Sequence, residues 1–411
     1  MKKYLLSIII TILSATTIFA RDIAVSTGAQ LQNAMENALP GDNIIVAPGT
    51  YTASRGSTSG EDARGMYFSK KSGTAAAHIT VTAQDPNNRP TLSGIDPSGT
   101  VIGIYLKGTA LDSINSTYVE YWDLSGINIV QGQKGVIFDA CRYVTIKNCS
   151  VSAIDQEGIH IRDNSSYITI DSVAVHTTGR TSAGYGEGFY IGSDKSSQGT
   201  PPASGMYRPF CNYNTVKNCT IGPDVTAEHF DIKEGTIGNV IEYNTFNGIG
   251  ISGTNSANTF INDKAQNTII RYNIGNKNGN AAIVAFGDIS ARGVYQSGLG
   301  GWWYYNTFDG ALTTDYMIRH AEGSPSAFKW TNTKPAGGNM YGPTIVWTDK
   351  NPDSTTSKKQ LTPTTAIKAP STTASFRTIK NNHLTIIRTA NGTVESFGLN
   401  GRANRFYFKH H

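Results

Sequence analysis

The chain contains few charged residues and no dense clusters of basic residues. Asp, Glu, Lys and Arg make up 16% of its 411 residues, while Gly (43) and Tyr (20) are abundant. This balance favours a β-rich, turn-rich protein over a helical one. The formal net charge of +5 permits an anionic polymer as partner, but no segment resembles a nucleic-acid-binding module, so we expect none.

Cysteine is scarce, and its spacing matches no metal site. If the chain is exported, the four cysteines allow two disulfides. An inward stack of small side chains explains them equally well, because Cys149 and Cys219 both occur in the string KNC at equivalent repeat positions. Both interpretations stay open for Cys141, Cys149, Cys211 and Cys219.

Long apolar runs are absent after the first 20 residues, so we expect no membrane span in the mature protein. Residues 1–20 place Lys2 and Lys3 before a short apolar run that ends on Ala20, a pattern typical of a secretory signal. The alternative, an uncleaved anchor, is disfavoured by the shortness of that run. We therefore expect a secreted, periplasmic or cell-surface protein, acting as a monomer.

The repeated element of the chain is a strand of six residues. The strings KGVIFD, EGIHIR, EGFYIG, EHFDIK and TFINDK, which begin at Lys134, Glu157, Glu187, Glu228 and Thr259, align as successive coils. A second column of Asx residues recurs at regular spacing, with one long interval that indicates an insertion between Thr178 and Asn214. This column comprises Asp123, Asn148, Asp171, Asn218, Asn244 and Asn273.

Stacked Asn residues suit turns that repeat along a solenoid, because the amide bonds the backbone and tolerates a left-handed conformation. Leucine-rich repeats and propellers are poorer matches, since their Leu and Trp-Asp signatures are missing. The repeats therefore predict an all-β protein, a right-handed parallel β-helix. The predicted parts are a signal peptide (1–20), a β-helix domain with a short N-terminal capping helix (21–348), a Thr/Ser/Pro-rich linker (349–377) and a small C-terminal β segment for sorting or anchoring (378–411).

Polar side chains gather on the outer face of these coils. Alternate residues of a strand face opposite sides, so Phe230 and Ile232 point into the core while Asp231 and Lys233 point outward. A third column, Glu157, Glu187 and Glu228, offers oxygen ligands for a hard cation such as Ca²⁺. A solvated face of ion pairs is the alternative for each single residue. The expected outward set is His160, Arg162, Tyr190, Asp231, Lys233, Asn262 and Lys264.

A parallel β-helix with this face resembles the pectate lyase superfamily, and within it the chondroitinase B and alginate lyase family of polysaccharide lyases. The run TAAAHITVTAQDPNNRPTLSG is similar to the first coil of that family. The segment in which Glu228 stands five residues before Lys233 is similar to the place where a Ca²⁺-binding Glu precedes the catalytic Lys. The family has a catalytic Arg on the next coil, whereas this chain has no Arg there and Lys264 takes the place.

The resemblance implies Lys233 as the base and Glu228 as a Ca²⁺ ligand, with Glu187 and Glu157 as further ligands. The expected reaction is β-elimination on an acidic, uronate-containing polysaccharide. We expect Lys264 to lower the pKa of Lys233, Tyr190 or His160 to donate the proton, and Arg162 to grip a carboxylate bidentately, with Asp231 and Asn262 binding substrate.

Two other functions fit the same face. A β-helix glycoside hydrolase would use a pair of carboxylates, with Glu187, Glu228, Asp231 and Glu234 as candidates. A non-catalytic protein would only bind polysaccharide through this face.

Overall fold

A computed structural model gives the fold. It describes residues 20–52, 65–94, 101–110, 116–199, 206–292, 295, 297–335 and 340–354, together with the backbone of four strands between 374 and 406. Contacts divide the chain into two units, Met1–Ser357 and Lys358–His411. Most of the predicted signal, residues 1–19, and most of the predicted linker lie outside the described residues. Among the described residues no helix is long and apolar enough to cross a bilayer.

The first unit is a right-handed parallel β-helix built from three parallel sheets, as predicted. Its strands are numbered in chain order. Sheet A joins β1 Asp22–Val25, β2 Asn43–Val46, β5 Ile79–Ala83, β8 Val119–Ser125, β11 Cys141–Lys147, β14 Thr169–Asp171, β17 Thr215–Lys217, β20 Val240–Glu242, β23 Ile269–Arg271, β26 Leu299–Tyr304, β29 Ser326–Trp330 and β30 Val346–Asp349.

Sheet B runs along a second side of the coil. It joins β3 Thr50–Tyr51, β6 Thr91–Ser93, β9 Asn128–Val130, β12 Ser150–Ser152, β15 Ala174–His176, β18 Thr220–Ile221, β21 Thr245–Asn247, β24 Ile274–Asn276 and β27 Thr307–Asp309.

Sheet C carries the six-residue strings of the sequence. It joins β4 Gly65–Ser69, β7 Ile102–Lys107, β10 Lys134–Asp139, β13 Ile159–Arg162, β16 Phe189–Ile191, β19 Phe230–Ile232, β22 Thr259–Asp263, β25 Ala285–Ser290 and β28 Tyr316–Glu322.

A helix and a further sheet flank these strands. Helix α1, Gly28–Glu36, begins at a capping box in which Thr27 and Gln30 exchange hydrogen bonds, and it buries Leu31, Ala34 and Met35. Its role as a cap of the first coil stays a prediction. The second unit contains an antiparallel sheet of β31 Ala374–Ile379, β32 His383–Arg388, β33 Thr393–Gly398 and β34 Ala403–Phe406, whose first strand starts inside the predicted linker.

The core of the β-helix is a continuous stack of apolar side chains. Ile159, Ile161 and Ile232 are fully buried, and the Phe189 and Phe230 rings stack with centroids 4.7 Å apart. Each such side chain contributes about 1.5–3 kcal/mol to folding through burial. These inward residues fix the parity of sheet C, because a slip of one residue would turn charged side chains into the core.

Inside the turn after sheet A, asparagines form a hydrogen-bonded ladder. The Asn244 amide donates to Asn273 Oδ1, Asn273 to Asn306 and Asn306 to Asn332, each at 3.0 Å. Cys219 continues the ladder, since its N–H donates to Asn244 Oδ1 at 2.9 Å.

The predicted Asx column was therefore misaligned. Strand pairing places Lys217 opposite Glu242, so Asn218 is level with Tyr243 and not with Asn244. Asn218 lies outside the ladder and bonds Asp171. All four cysteines are buried and free, which favours the stack of small side chains over the disulfides.

Candidate active site

The outward residues of sheet C line a cleft of about 560 Å³. Strand pairing aligns Ile137 with His160, His160 with Tyr190, Tyr190 with Asp231 and Asp231 with Asn262. The column read from the sequence is thus confirmed. Its charged members are buried rather than solvated, because loops before and after the strands also line the cleft.

Asp231 lies between two lysines at the centre of the cleft. Lys233 Nζ is 2.7 Å from Asp231 Oδ2, and Lys264 Nζ pairs with Asp231 Oδ1. Burial opposes ionisation of this carboxyl, yet Lys233 and then Lys264 lower its pKa to about 2. Both oxygens of Asp231 are therefore bonded by lysines, and the side chain does not present itself to a substrate as predicted.

The pKa values of the two lysines are shifted in opposite directions, and the pKa of Lys233 is raised overall and not lowered as predicted. Burial favours the neutral form of Lys233, but the Asp231 carboxylate raises its pKa well above its ordinary value. Lys264 is buried more completely, so its own pKa is lowered by burial and by Lys233, against the effect of Asp231.

Tyr190 lies beside Lys233 on the neighbouring coil. The Lys233 Nζ lies over the Tyr190 ring, 4.6 Å from the ring centroid. Burial raises the pKa of Tyr190, so the phenol holds its proton. This pair places a proton donor and an amine on neighbouring coils of the same cleft.

His160 is a buried neutral imidazole. Burial and then the charge of Lys134 keep its pKa well below the ordinary value. His160 Nε2 lies 3.0 Å from Gly192 O, a carbonyl that can only accept, so Nε2 carries the proton. Its proton is thus engaged with the backbone.

The three predicted metal ligands separate into two groups. Glu187 and Glu228 join Asp231 in a buried cluster in which one carboxylate oxygen of each residue lies within 4.8 Å of the other two. Glu157 lies apart, paired with Lys134 and 3.7 Å from His160 Nδ1.

Arg162 is held at one end of the cleft by protein groups. Its Nε and Nη2 donate to Asp139 at 2.6 and 2.9 Å, and its guanidinium lies 4.3 Å from the Tyr207 ring centroid. The Nε–Nη2 edge of the Arg162 guanidinium is thus bonded to Asp139.

Sequence reasoning missed several residues of the cleft. The most important is Arg292, whose Nη1 lies 3.1 Å from Asp194 Oδ2 and whose Nε lies 2.7 Å from Glu322. Asp194 comes from the insertion and also lies 3.8 Å from Lys233. An Arg is therefore present, two coils after Lys233, just beyond β25. The string AFGDIS, Ala285 to Ser290, has the residue pattern of an extended strand, and this strand was the sequence signal that leads to Arg292.

A comparison with solved structures identifies the family. The chain is 32% identical to an alginate lyase from Paenibacillus sp. str. FPU-7, with a TM-score of 0.68 over 79% of this chain and 99% of that one. This chain is a polysaccharide lyase of that family. The expected enzyme class is thereby confirmed.

More distant structures share the fold of this lyase. Pectate lyase Pel9A is 16% identical with a TM-score of 0.54, covering 82% of this chain and 80% of that one. A rhamnogalacturonan lyase is 12% identical with a TM-score of 0.51, covering 80% and 87%. No protein-family model and no curated protein matches the chain.

The same cleft weighs against a hydrolase among the sequence alternatives. Glu234 is fully buried and accepts a hydrogen bond from Lys195 N at 2.7 Å, and Asp231 is bonded to two lysines. In this lyase the amines of Lys233 and Lys264 and the phenol of Tyr190 instead lie around Asp231.

Proposed function

We propose that the lyase cleaves an acidic, uronate-containing polysaccharide by β-elimination, with Lys233 as base. The observation that carries this proposal is the position of the Lys233 amine over the Tyr190 ring, 4.6 Å from its centroid, in a cleft that also contains Lys264 and Arg292. Because the 32% identical relative is an alginate lyase, alginate is the first polymer to test.

In this mechanism neutral Lys233 takes the proton from the carbon next to the uronate carboxylate. The electron pair forms the C4–C5 double bond as the C4–O bond breaks, and Tyr190 gives its hydroxyl proton to the leaving oxygen. Because the two side chains are neighbours, the proton then returns from Lys233 to the Tyr190 phenolate. The pair is thus reset without an outside group.

Tyr190 suits the role of donor better than His160. The Nε2 proton of His160 is engaged with Gly192 O, and a neutral ring with a lowered pKa lacks a second proton. We therefore assign His160 to support of the Tyr190 ring, whose centroid lies 4.5 Å away.

Elimination also requires that the substrate carboxylate be neutralised. Lys264, which pairs with Asp231, and Arg292, which pairs with Asp194, supply positive charge in the cleft. Arg292 is 25% exposed and is held by two acidic side chains, so an incoming carboxylate competes for a guanidinium that is already in place.

A Ca²⁺ ion is proposed as a second source of positive charge, with Glu187 and Glu228 as ligands and Asn262 as a third. These residues fit a hard cation, because Glu187 Oε2 and Asn262 Oδ1 are buried acceptors that lack a hydrogen-bond partner among the described residues. Burial raises the pKa of Glu187 well above its ordinary value, and Glu157 and Asp231 add to the rise. When bound, Ca²⁺ would polarise the carboxylate of the substrate.

Absorbance of the reaction products tests the proposal. Incubation with alginate, pectate, glucuronan and sulfated glycosaminoglycans should give ultraviolet absorbance from the new double bond on at least one polymer. New reducing ends without absorbance would indicate a hydrolase, and binding without either product would indicate an adhesive protein.

Export is part of the proposal as well. The signal-like residues 1–20 support secretion or placement at the cell surface, where a polymer substrate is met. Amino-terminal sequencing of the protein from culture medium tests this, since removal of the segment should leave a chain that begins near Arg21.

A further inference from the structure

The polar floor of the cleft continues beyond the residues that the proposed reaction uses. Strand pairing aligns Asn262 with Asp288 and Asp288 with Arg319, so these residues extend the column that contains Tyr190 and Asp231. Neighbouring coils are spaced by ~4.8 Å, which places Arg319 about 14 Å along the axis from Asp231.

A second depression of about 390 Å³ lies over this extension. It shares Ser256, Asn262 and Arg292 with the catalytic cleft, so the two depressions form one continuous groove along sheet C. At the other end the described residues of the same column are apolar or aromatic. There Ile137 occupies the floor column and is buried in an apolar cluster with Phe68, Ile102 and Tyr105.

Arg319 is fixed within this depression. Its Nε and Nη2 donate to the two oxygens of Asp288 at 2.8 and 2.6 Å, and Nη2 also donates to Asn258 Oδ1 at 2.8 Å. Its Nη1 has no hydrogen-bond partner among the described residues, and the side chain is 29% exposed. A pre-oriented guanidinium loses little conformational freedom when it binds a further acceptor.

The acidic groups of the depression are already bonded to arginines. Asp288 is almost fully buried against Arg319, and Glu322 accepts from Arg292. His320 adds a ring whose Nε2 lies 2.6 Å from Gly323 O. Arg319 Nη1 therefore remains available as a donor beside carboxylates that are already paired.

We propose that Arg319 forms a distal subsite that binds the carboxylate of a uronate unit beyond the reacting one. This inference rests on the proposed lyase function and adds to it that the polymer lies along the solenoid axis. Affinity for longer chains then comes from the coils after Lys264, on one side of the reacting sugar.

The test compares oligosaccharides of two lengths, prepared from the polymer that the wild-type enzyme degrades. One is the shortest that is cleaved, and the other is a few sugars longer. Arg319→Ala should reduce the ratio of kcat/KM for the long over the short substrate by about tenfold, the scale of one charge-assisted hydrogen bond. Arg319→Gln serves the same purpose if the alanine variant does not fold.

Arg271→Ala is the matched control. Arg271 has a similar exposure of 28% and also pairs with an acidic residue, Glu242, one coil before it, but it lies on sheet A. The length ratio should be unchanged in this variant. An unchanged ratio in the Arg319 variants, or an equal fall in Arg271→Ala, overturns the distal subsite. A wild-type enzyme without ultraviolet-absorbing products on any polymer overturns the lyase proposal itself.

Discussion

Lys233 Nζ lies 2.7 Å from Asp231 Oδ2, the carboxylate that stabilises the charged form of this amine. A lysine that acts as base has to lose its proton against this attraction. The predictions about proton transfer follow from that relationship.

Replacement of Lys233 by Ala should lower kcat by about a hundredfold or more, the usual contribution of a general base. The fold should be retained, because Lys264 still pairs with Asp231. Initial rates from ultraviolet absorbance, with circular dichroism as the folding control, measure both. Lys217→Ala removes a partly exposed lysine paired with Asp171 and should keep full activity. Turnover in Lys233→Ala equal to wild type would falsify the assignment.

The rate should rise with pH into the alkaline range. Asp231 raises the pKa of Lys233, so the neutral amine forms only well above neutral pH, while burial raises the pKa of Tyr190 and preserves the donor there. A profile of kcat/KM against pH in one buffer series checks this. A rate that falls as pH rises through the same range would make Lys233 the acid instead of the base.

The Tyr190→Phe variant should lose most of kcat while KM changes little, since the hydroxyl acts on the leaving oxygen and the ring stays in place against His160. Steady-state kinetics on one polymer separate the two constants. The control is Tyr243→Phe, a half-exposed tyrosine of the turn after sheet A. Wild-type kcat in Tyr190→Phe would transfer the donor role to another group.

Addition of Ca²⁺ to chelated enzyme should raise the midpoint of thermal unfolding, because a ligand that binds only the folded state stabilises it. Glu187→Gln should abolish this shift, whereas Glu242→Gln, on sheet A, should retain it. Calorimetric titration gives a readout independent of activity. Full activity after exhaustive chelation together with no thermal shift contradicts a Ca²⁺ site and leaves neutralisation to Lys264 and Arg292.

Asn273→Ala should destabilise the fold by about 2–3 kcal/mol, since it leaves buried partners of the ladder without hydrogen bonds. Asn218→Ala, at a position outside the ladder, should cost less than about 1 kcal/mol. Denaturant unfolding of the two variants measures the difference. Equal losses in the free energy of unfolding would show that the Asn ladder contributes no more to stability than the hydrogen bond of Asn218.

The register of sheet C was predictable from the sequence because apolar residues such as Ile159 and Phe230 have to face inward. That constraint fixes which side His160, Tyr190 and Lys233 occupy. Burial of the same residues was not predictable. It depends on the path of loops such as the one that carries Asp194, and loop paths are not encoded in a periodic pattern.

The Asn column failed for a specific conformational reason. Asn was expected at the left-handed position of the turn, and Asn218 does adopt φ 55°. In the next coil Tyr243 adopts the same φ 55°, and the adjacent Asn244 turns inward to the ladder. Because Tyr rarely takes this conformation, the sequence favoured the wrong one of two neighbouring residues.

The outward column of sheet C places the proposed distal subsite and the proposed catalytic residues on different coils. The number of sugars bound and the chemistry of cleavage can therefore change independently. Coils added or lost after β25 would alter the number of sugars held without moving Tyr190, Asp231 or Lys233, since each coil contacts mainly its neighbours. Preference for chain length can therefore diverge among related lyases while the chemistry of cleavage is conserved.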